Sequence, residues 1–188
     1  MSGIIGGLGS KSGVIGSGVT FPAGHILQVV GTNFTTIGNT TITTSPTVSS
    51  PNITYPITPL RNGSWFRISV RWFGEQANSF NIMALMYRDS ASINSAAAGT
   101  SSGINVKGLS MATHTFNSAV NDATTPELMH LDTLDKTGST AGTEIDYTLK
   151  WIAQGSYTQH TNITFTQSGG DTSWEEGVSE IIIMEIAQ

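Results

Sequence analysis

The chain contains no cysteine, which excludes disulfides, thiolate metal sites and a cysteine nucleophile. Charge is scarce as well: Asp, Glu, Lys and Arg make up 11% of 188 residues, against roughly a quarter of an ordinary soluble domain. A surface so poor in charge forms few ion pairs, and a neighbour covers it with little charge desolvation. It also lacks part of the repulsion that keeps proteins apart, which suits a subunit made to associate. No basic n-region and no apolar run of signal-peptide or membrane-span length occurs, so the sequence reads as a soluble chain made in a cytoplasm, without a membrane partner. The eight Lys and Arg are scattered, with Arg61, Arg67, Arg71 and Arg88 nearest to a group, and the net charge is −5. Nothing there resembles the basic stripe that phosphate-backbone binding requires, so nucleic acid is not an expected partner. Helical periodicity is missing too; only Asp89–Ala98 has helix-friendly alanines, and Asn94 and Gly99 limit it to about a turn.

What the chain does have is hydroxyls and glycine. Ser and Thr fill about a quarter of it, and there are 21 glycines. Asn33, Asn39, Asn52, Asn62 and Asn162 each begin an N-x-Ser/Thr triplet; with no export signal, these follow from the Thr-rich composition alone.

Two regions differ. Residues 1–20 carry glycine at almost every second or third place, and Ser2-Gly3-Ile4-Ile5-Gly6 recurs as Ser12-Gly13-Val14-Ile15-Gly16. So much glycine neither holds a helix nor supplies a core. An inert linker needs only Gly and Ser, whereas this segment carries two pairs of β-branched residues at a repeat. It is read as an extended docking arm, with Ile4, Ile5, Val14 and Ile15 filling pockets of a neighbour by strand addition.

From Phe21 onward the period is two. Phe66, Ile68, Val70 and Trp72 share one face of a strand and Arg67, Ser69 and Arg71 the other. Ile145, Tyr147, Leu149 and Trp151 form a second inward set. Phe80–Arg88 is apolar on both sides after its start, and Glu180–Ile186 likewise. Further strands are expected at His25–Val30, Thr40–Thr44, Ile53–Thr58, Leu109–Phe116, Leu128–Asp132 and Asn162–Thr166. Turn chemistry separates them at Arg61–Ser64, Lys136–Ser139 and Ser168–Asp171. Eight to ten short strands without helices give an all-β fold, a β-sandwich of jelly-roll type spanning residues 21–188.

The search for chemistry finds no constellation, and no cofactor is expected. None of His25, His114, His130 and His160 sits in a metal-binding helix motif; His130 and Asp132 share a strand face, an ordinary polar arrangement. There is no G-x-S-x-G elbow. Glu175 and Glu176 are adjacent, and glycosidase carboxylates must face each other across a bond. Trp72 and Trp151 fall on core phases, which leaves Trp65 and Trp174 as surface positions for a ligand or partner. Ile181, Ile182, Ile183, Met184 and Ile186 are assigned to the core or to an oligomer interface. The chain is not expected to be an enzyme.

Three landmarks carry a resemblance. Phe21-Pro22-Ala23-Gly24-His25-Ile26-Leu27-Gln28-Val29-Val30 follows a Gly-rich leader, Ile57-Thr58-Pro59-Leu60 forms a middle turn, and Ile181–Ile186 closes the chain. In that order, over nearly the whole length, the sequence resembles small virion structural proteins of tailed bacteriophages of marine and freshwater bacteria. The resemblance implies a jelly-roll, trimeric virion component, either a capsid decoration (cement) protein or a tail-fibre-like tip, and brings no catalytic residues. Residues 90–125 match no pattern of that group, so any contact made there stays undefined. A fibre needs a shaft, and the chain has no heptads, G-x-y run or β-repeat beyond the arm. An arm plus one globule therefore fits decoration better than a short tail-fibre or receptor-binding tip. A free carbohydrate-binding module explains neither the arm nor the low charge. The expected partners are the chain itself, as a homotrimer, and the major capsid protein or another virion protein, at the particle surface.

Overall fold

The structure is a computed structural model that describes residues 21–76, 82–93, 108–111, 126–164 and 175–188. The docking arm, Trp174 and the expected turn at 168–171 lie outside these residues. The described residues form eleven strands and no helix: β1 (Ile26–Phe34), β2 (Gly38–Ile42), β3 (Thr47–Val48), β4 (Thr54–Ile57), β5 (Trp65–Gln76), β6 (Ile82–Arg88), β7 (Ala91–Ser92), β8 (Glu127–Asp135), β9 (Ile145–Ala153), β10 (Tyr157–Thr161) and β11 (Ser179–Ile186).

They build two antiparallel sheets, a β-sandwich. In the six-stranded sheet β5 is the axis: β8 pairs with one of its edges, and the other pairs first with β11, which carries β1 outside it, then with β10, which carries β2. In the second sheet β9 lies between β6 on one side and β3 and β4 on the other, and β7 flanks β6. The alternation of β5 sets the core. Phe66, Ile68, Val70 and Trp72 are all 0% exposed and meet Ile145, Tyr147, Leu149 and Trp151 of β9. Trp72 packs edge-on to Trp151 at 5.0 Å between ring centroids, and Phe66 lies 5.9 Å from Tyr147. Gly74 follows on the same inward phase, where a Cβ would collide with the His160 carbonyl and the Trp72 ring. Only glycine admits so close an approach of β10 to β5.

Polar clusters pin the sandwich together. Asp135, at the end of β8, is 1% exposed. It accepts from Arg88 of β6 at 3.1 Å, from the Tyr147 hydroxyl of β9 at 2.7 Å and from the Thr137 amide at 2.9 Å. Burial alone would push this carboxyl up; the bonds from Thr137 and Tyr147 and the Arg88 charge outweigh it and hold it below its ordinary value. Where β10 and β11 part along β5, Asn162 takes a left-handed conformation, φ 63°. Its amide nitrogen donates to the Phe34 and Thr36 carbonyls, each at 2.8 Å, and its amide oxygen accepts from Ser179 Oγ at 2.7 Å.

Several elements depart from expectation. Asn162 ends β10, which covers Tyr157–Thr161; of the expected Asn162–Thr166, Ile163 forms a single bridge to Glu176, and residues 165 and 166 lie outside the described ones. The helix-friendly start at Asp89 is a turn, with Asp89 at φ 52°, leading into β7. Near Leu109 the described residues show a single bridge, Ser110 to Ala84; residues 112–116 lie outside the described ones. β11 carries apolar residues on both faces, as expected, but its inward face also takes a carboxylate. Ile181, Ile183 and Glu185 point inward and are 0% exposed, while Ile182, Met184 and Ile186 point outward and are half-buried. The expected turns at Asn62–Gly63 and Thr137–Gly138 are present, with φ +77° at Gly63 and +82° at Gly138.

Candidate interaction face

The outward face of the six-stranded sheet follows from its registers. Side chains on one phase line up across β1, β11, β5 and β8 in three rows: Val29, Met184, Arg67 and Leu134; Gly31, Ile182, Ser69 and Asp132; Asn33, Glu180, Arg71 and His130. Beside Ile182 and Met184 of β11, the residues of β5 and β8 form a polar strip that is paired within itself. Arg67 grips Asp132 with two nitrogens, its Nε lying 3.0 Å and 3.2 Å from the two carboxylate oxygens. This holds the Asp132 carboxyl below its ordinary range. Arg71 lies 3.8 Å from Glu180, and Ser69 Oγ lies 3.1 Å from His130 Nε2. At the borders the face is apolar: Val29 is 55% exposed, Leu128 52% and Leu134 40%. Singly exposed apolar residues are ordinary. Here they flank a strip whose charges already neutralise one another, so a covering neighbour need not bring counter-charges.

The five residues assigned to core or interface therefore divide. Ile181 and Ile183 belong to the core, and Ile182, Met184 and Ile186 lie on this face. Trp65 stands at its end, half-buried, with Lys136 Nζ 4.9 Å from its ring centroid, so its surface is already partly occupied by a cation. Ile4, Ile5, Val14, Ile15 and Trp174 lie outside the described residues. Leu128 and Leu134 are not among the residues the sequence singles out. The signal is present, because ELMHLDTLD places Leu128, His130, Asp132 and Leu134 on one phase against buried Met129 and Leu131.

The chemical candidates are occupied structurally. His130 bonds Ser69 and Asp132 bonds Arg67, and among the described residues no group of three or more His, Asp or Glu side chains could hold a metal ion. Glu175 accepts from Thr164 Oγ1 at 2.9 Å, and both it and Glu176 are exposed. Asn162, one of the N-x-Thr positions, is 0% exposed with its amide fully used. At the far end of β5 lies an acidic pair in an unusual setting. Glu75 and Glu127 are 0% and 1% exposed. Burial pushes the Glu127 carboxyl up to about 8, and the Glu75 charge adds to this, against the opposing effect of a hydrogen bond from the Gln76 backbone amide. His160, opposite Glu75 in the register, is lowered by burial.

No family model matches the chain, and a search of curated proteins finds no significant relative.

Proposed function

We propose that the chain is a non-enzymatic structural protein of a tailed-phage virion, a capsid decoration protein that trimerises through its sandwich and attaches through its N-terminal arm. The observation that carries this reading is the outward face of the six-stranded sheet, where Val29, Leu128 and Leu134 border a self-neutralised strip of Arg67, Asp132, Arg71 and Glu180. Such a face suits contact with another copy more than contact with a charged ligand. The strand order supports the jelly-roll part of the reading. The first strand lies beside the last, which lies beside β5 and then β8, and β4, β9, β6 and β7 follow one another in the opposed sheet. Four strands of the six-stranded sheet and four of the five-stranded sheet thus follow the succession that a jelly roll would have, which supports that reading.

Two measurements test it. Light scattering of the purified chain should give three times its 19.8 kDa; a monomer at micromolar concentration removes the trimer from the reading. Quantitative mass spectrometry of purified particles from the producing cells should count copies in proportion to the shell lattice. A count fitting a single tail site transfers the protein to the fibre tip, and absence from particles ends the virion reading.

A further inference from the structure

We propose that the free edge of β1 accepts, as an added strand, the N-terminal arm of a second copy of this chain. The inference rests on the docking role proposed for the arm and is independent of where a particle carries the protein. β1 is a nine-residue strand whose only hydrogen-bonded strand partner, among the described residues, is β11. Among the described residues no strand pairs with the other side of its backbone, a row of amides and carbonyls that an added strand can use. Natural edges are guarded by charges, proline or bulges. β1, with the sequence ILQVVGTNF, has no charge and no proline, and its one irregularity lies at its start, between Ile26 and Gln28. The other long edge is guarded: β8 carries Glu127, His130, Asp132 and Asp135, and Ser110 Oγ donates to the His130 carbonyl at 2.9 Å. Beside the β1 edge, the core-facing Val30 and Phe34 remain only partly buried, and Val29 on the other phase is 55% exposed. A strand laid on this edge would cover residues on both sides.

The arm has the matching chemistry. Of residues 1–20 only Lys11 carries a side-chain charge, and the Ile4-Ile5 and Val14-Ile15 pairs lie ten residues apart. An even spacing puts equivalent members on one face of an extended chain, and one period of the repeat matches the length of β1. Fully extended, 20 residues reach at most about 70 Å, well beyond a domain whose radius of gyration is about 15 Å. The occupant is a second copy because residues 21–25, through which the arm joins β1, are bound away from this edge. The Pro22–His25 turn, with Gly24 at φ +86°, keeps Gly24 and His25 bonded to Ala187. Phe21 stacks on His25, and its carbonyl accepts from Arg61, whose backbone amide is bound by Glu185. All of these contacts lie on the β11 side of β1, opposite its free edge.

The test is hydrogen exchange of the β1 amides in the full-length protein over a hundredfold dilution series, with β5 amides as the internal control. Expected is about tenfold slower exchange of β1 at the concentrated end, lost on dilution. It should also be lost at every concentration when Ile4, Ile5, Val14 and Ile15 are all replaced by Ser, and be restored to that variant by excess synthetic peptide of residues 1–20. Exchange of β1 that does not change with concentration overturns the proposal, whether the edge is open or is protected within one chain. Protection that survives the four Ser replacements overturns it as well. The wild-type dilution series decides the matter without any variant, and particle binding enters neither result.

Discussion

Replacing Glu127 by Gln should stabilise the protein, by a margin that grows from about pH 4.5 to about pH 8. Glu127 is 1% exposed and its carboxyl is raised from its ordinary 4.5 to about 8, by burial first and by Glu75 beside it. The folded state therefore holds the proton more tightly than the unfolded state does. Below about pH 4.5 both states are protonated and nothing is lost. Between 4.5 and 8 the unfolded chain sheds a proton that the folded chain keeps, so stability falls as pH rises, and above 8 the loss is complete. The span from 4.5 to about 8 is worth at most about 5 kcal/mol. The amide introduced by Glu127→Gln would keep an oxygen to accept from the Gln76 backbone and would remove the charge. Urea unfolding of both proteins at pH 4.5, 6.5 and 8.5 should give nearly equal stabilities at the first pH and a widening advantage for the variant at the others. Asp135 and His160 also titrate differently in the two states, and the difference between the two proteins cancels their contribution. Parallel curves, or a variant weaker at pH 8.5, would refute the burial argument.

Glu185→Ala should destabilise by about 3–5 kcal/mol in urea unfolding, because it leaves the Leu60 and Arg61 amides, the Ser64 hydroxyl and the Gln28 amide without their shared acceptor. Asn162→Ala should cost about 3 kcal/mol, from the strained left-handed backbone and the bonds lost to Phe34, Thr36 and Ser179, and Asn162→Gly should recover only the backbone part. Ile182→Lys sets a third cation diagonally between Arg67 and Arg71 on the outward face; light scattering should report monomer, with an unchanged near-ultraviolet circular dichroism spectrum. Arg67→Ala removes a pair that is largely exposed, so the urea unfolding midpoint should hardly move.

The parts of the fold legible in the sequence are those where polar and apolar residues alternate. In β5 the inward set is readable because Arg67, Ser69 and Arg71 mark the outward phase. In β11 the run Ile181-Ile182-Ile183-Met184 conceals its alternation, since both faces are apolar and of its two charges Glu180 lies on the outward phase and Glu185 points inward. A buried carboxylate contradicts the simple pattern, and what reverses it is hydrogen bonding by groups 121 to 157 residues away, which no local window contains. The sequence pattern misplaces β10 for a related reason. Asn162-Ile163-Thr164 alternates better than the true strand YTQHT, and only the tertiary bonds to Phe34, Thr36 and Ser179 hold Asn162 in the conformation that ends it. Of the outward face, Arg67 and Arg71 are readable, whereas Leu128 and Leu134 need the phase of β8.

The three segments Phe21–Val30, Ile57–Leu60 and Ile181–Ile186 converge on one carboxylate. Gln28, from the first, donates to Glu185 at 2.6 Å and to the Thr58 carbonyl at 2.8 Å. Leu60, from the second, donates its amide to Glu185 at 2.9 Å, and Glu185 itself belongs to the third. Segments far apart in sequence thereby close one end of the sandwich around a buried charge, where each partner left unmatched costs about 1–3 kcal/mol. These positions therefore bear on how the sandwich is closed. Any partner would instead meet the arm, the β1 edge and the outward face, whose residues are constrained by what they touch and not by the fold. That division makes variants of Val29, Ile182 and the arm, and not variants of the Glu185 cluster, the ones able to separate assembly from folding.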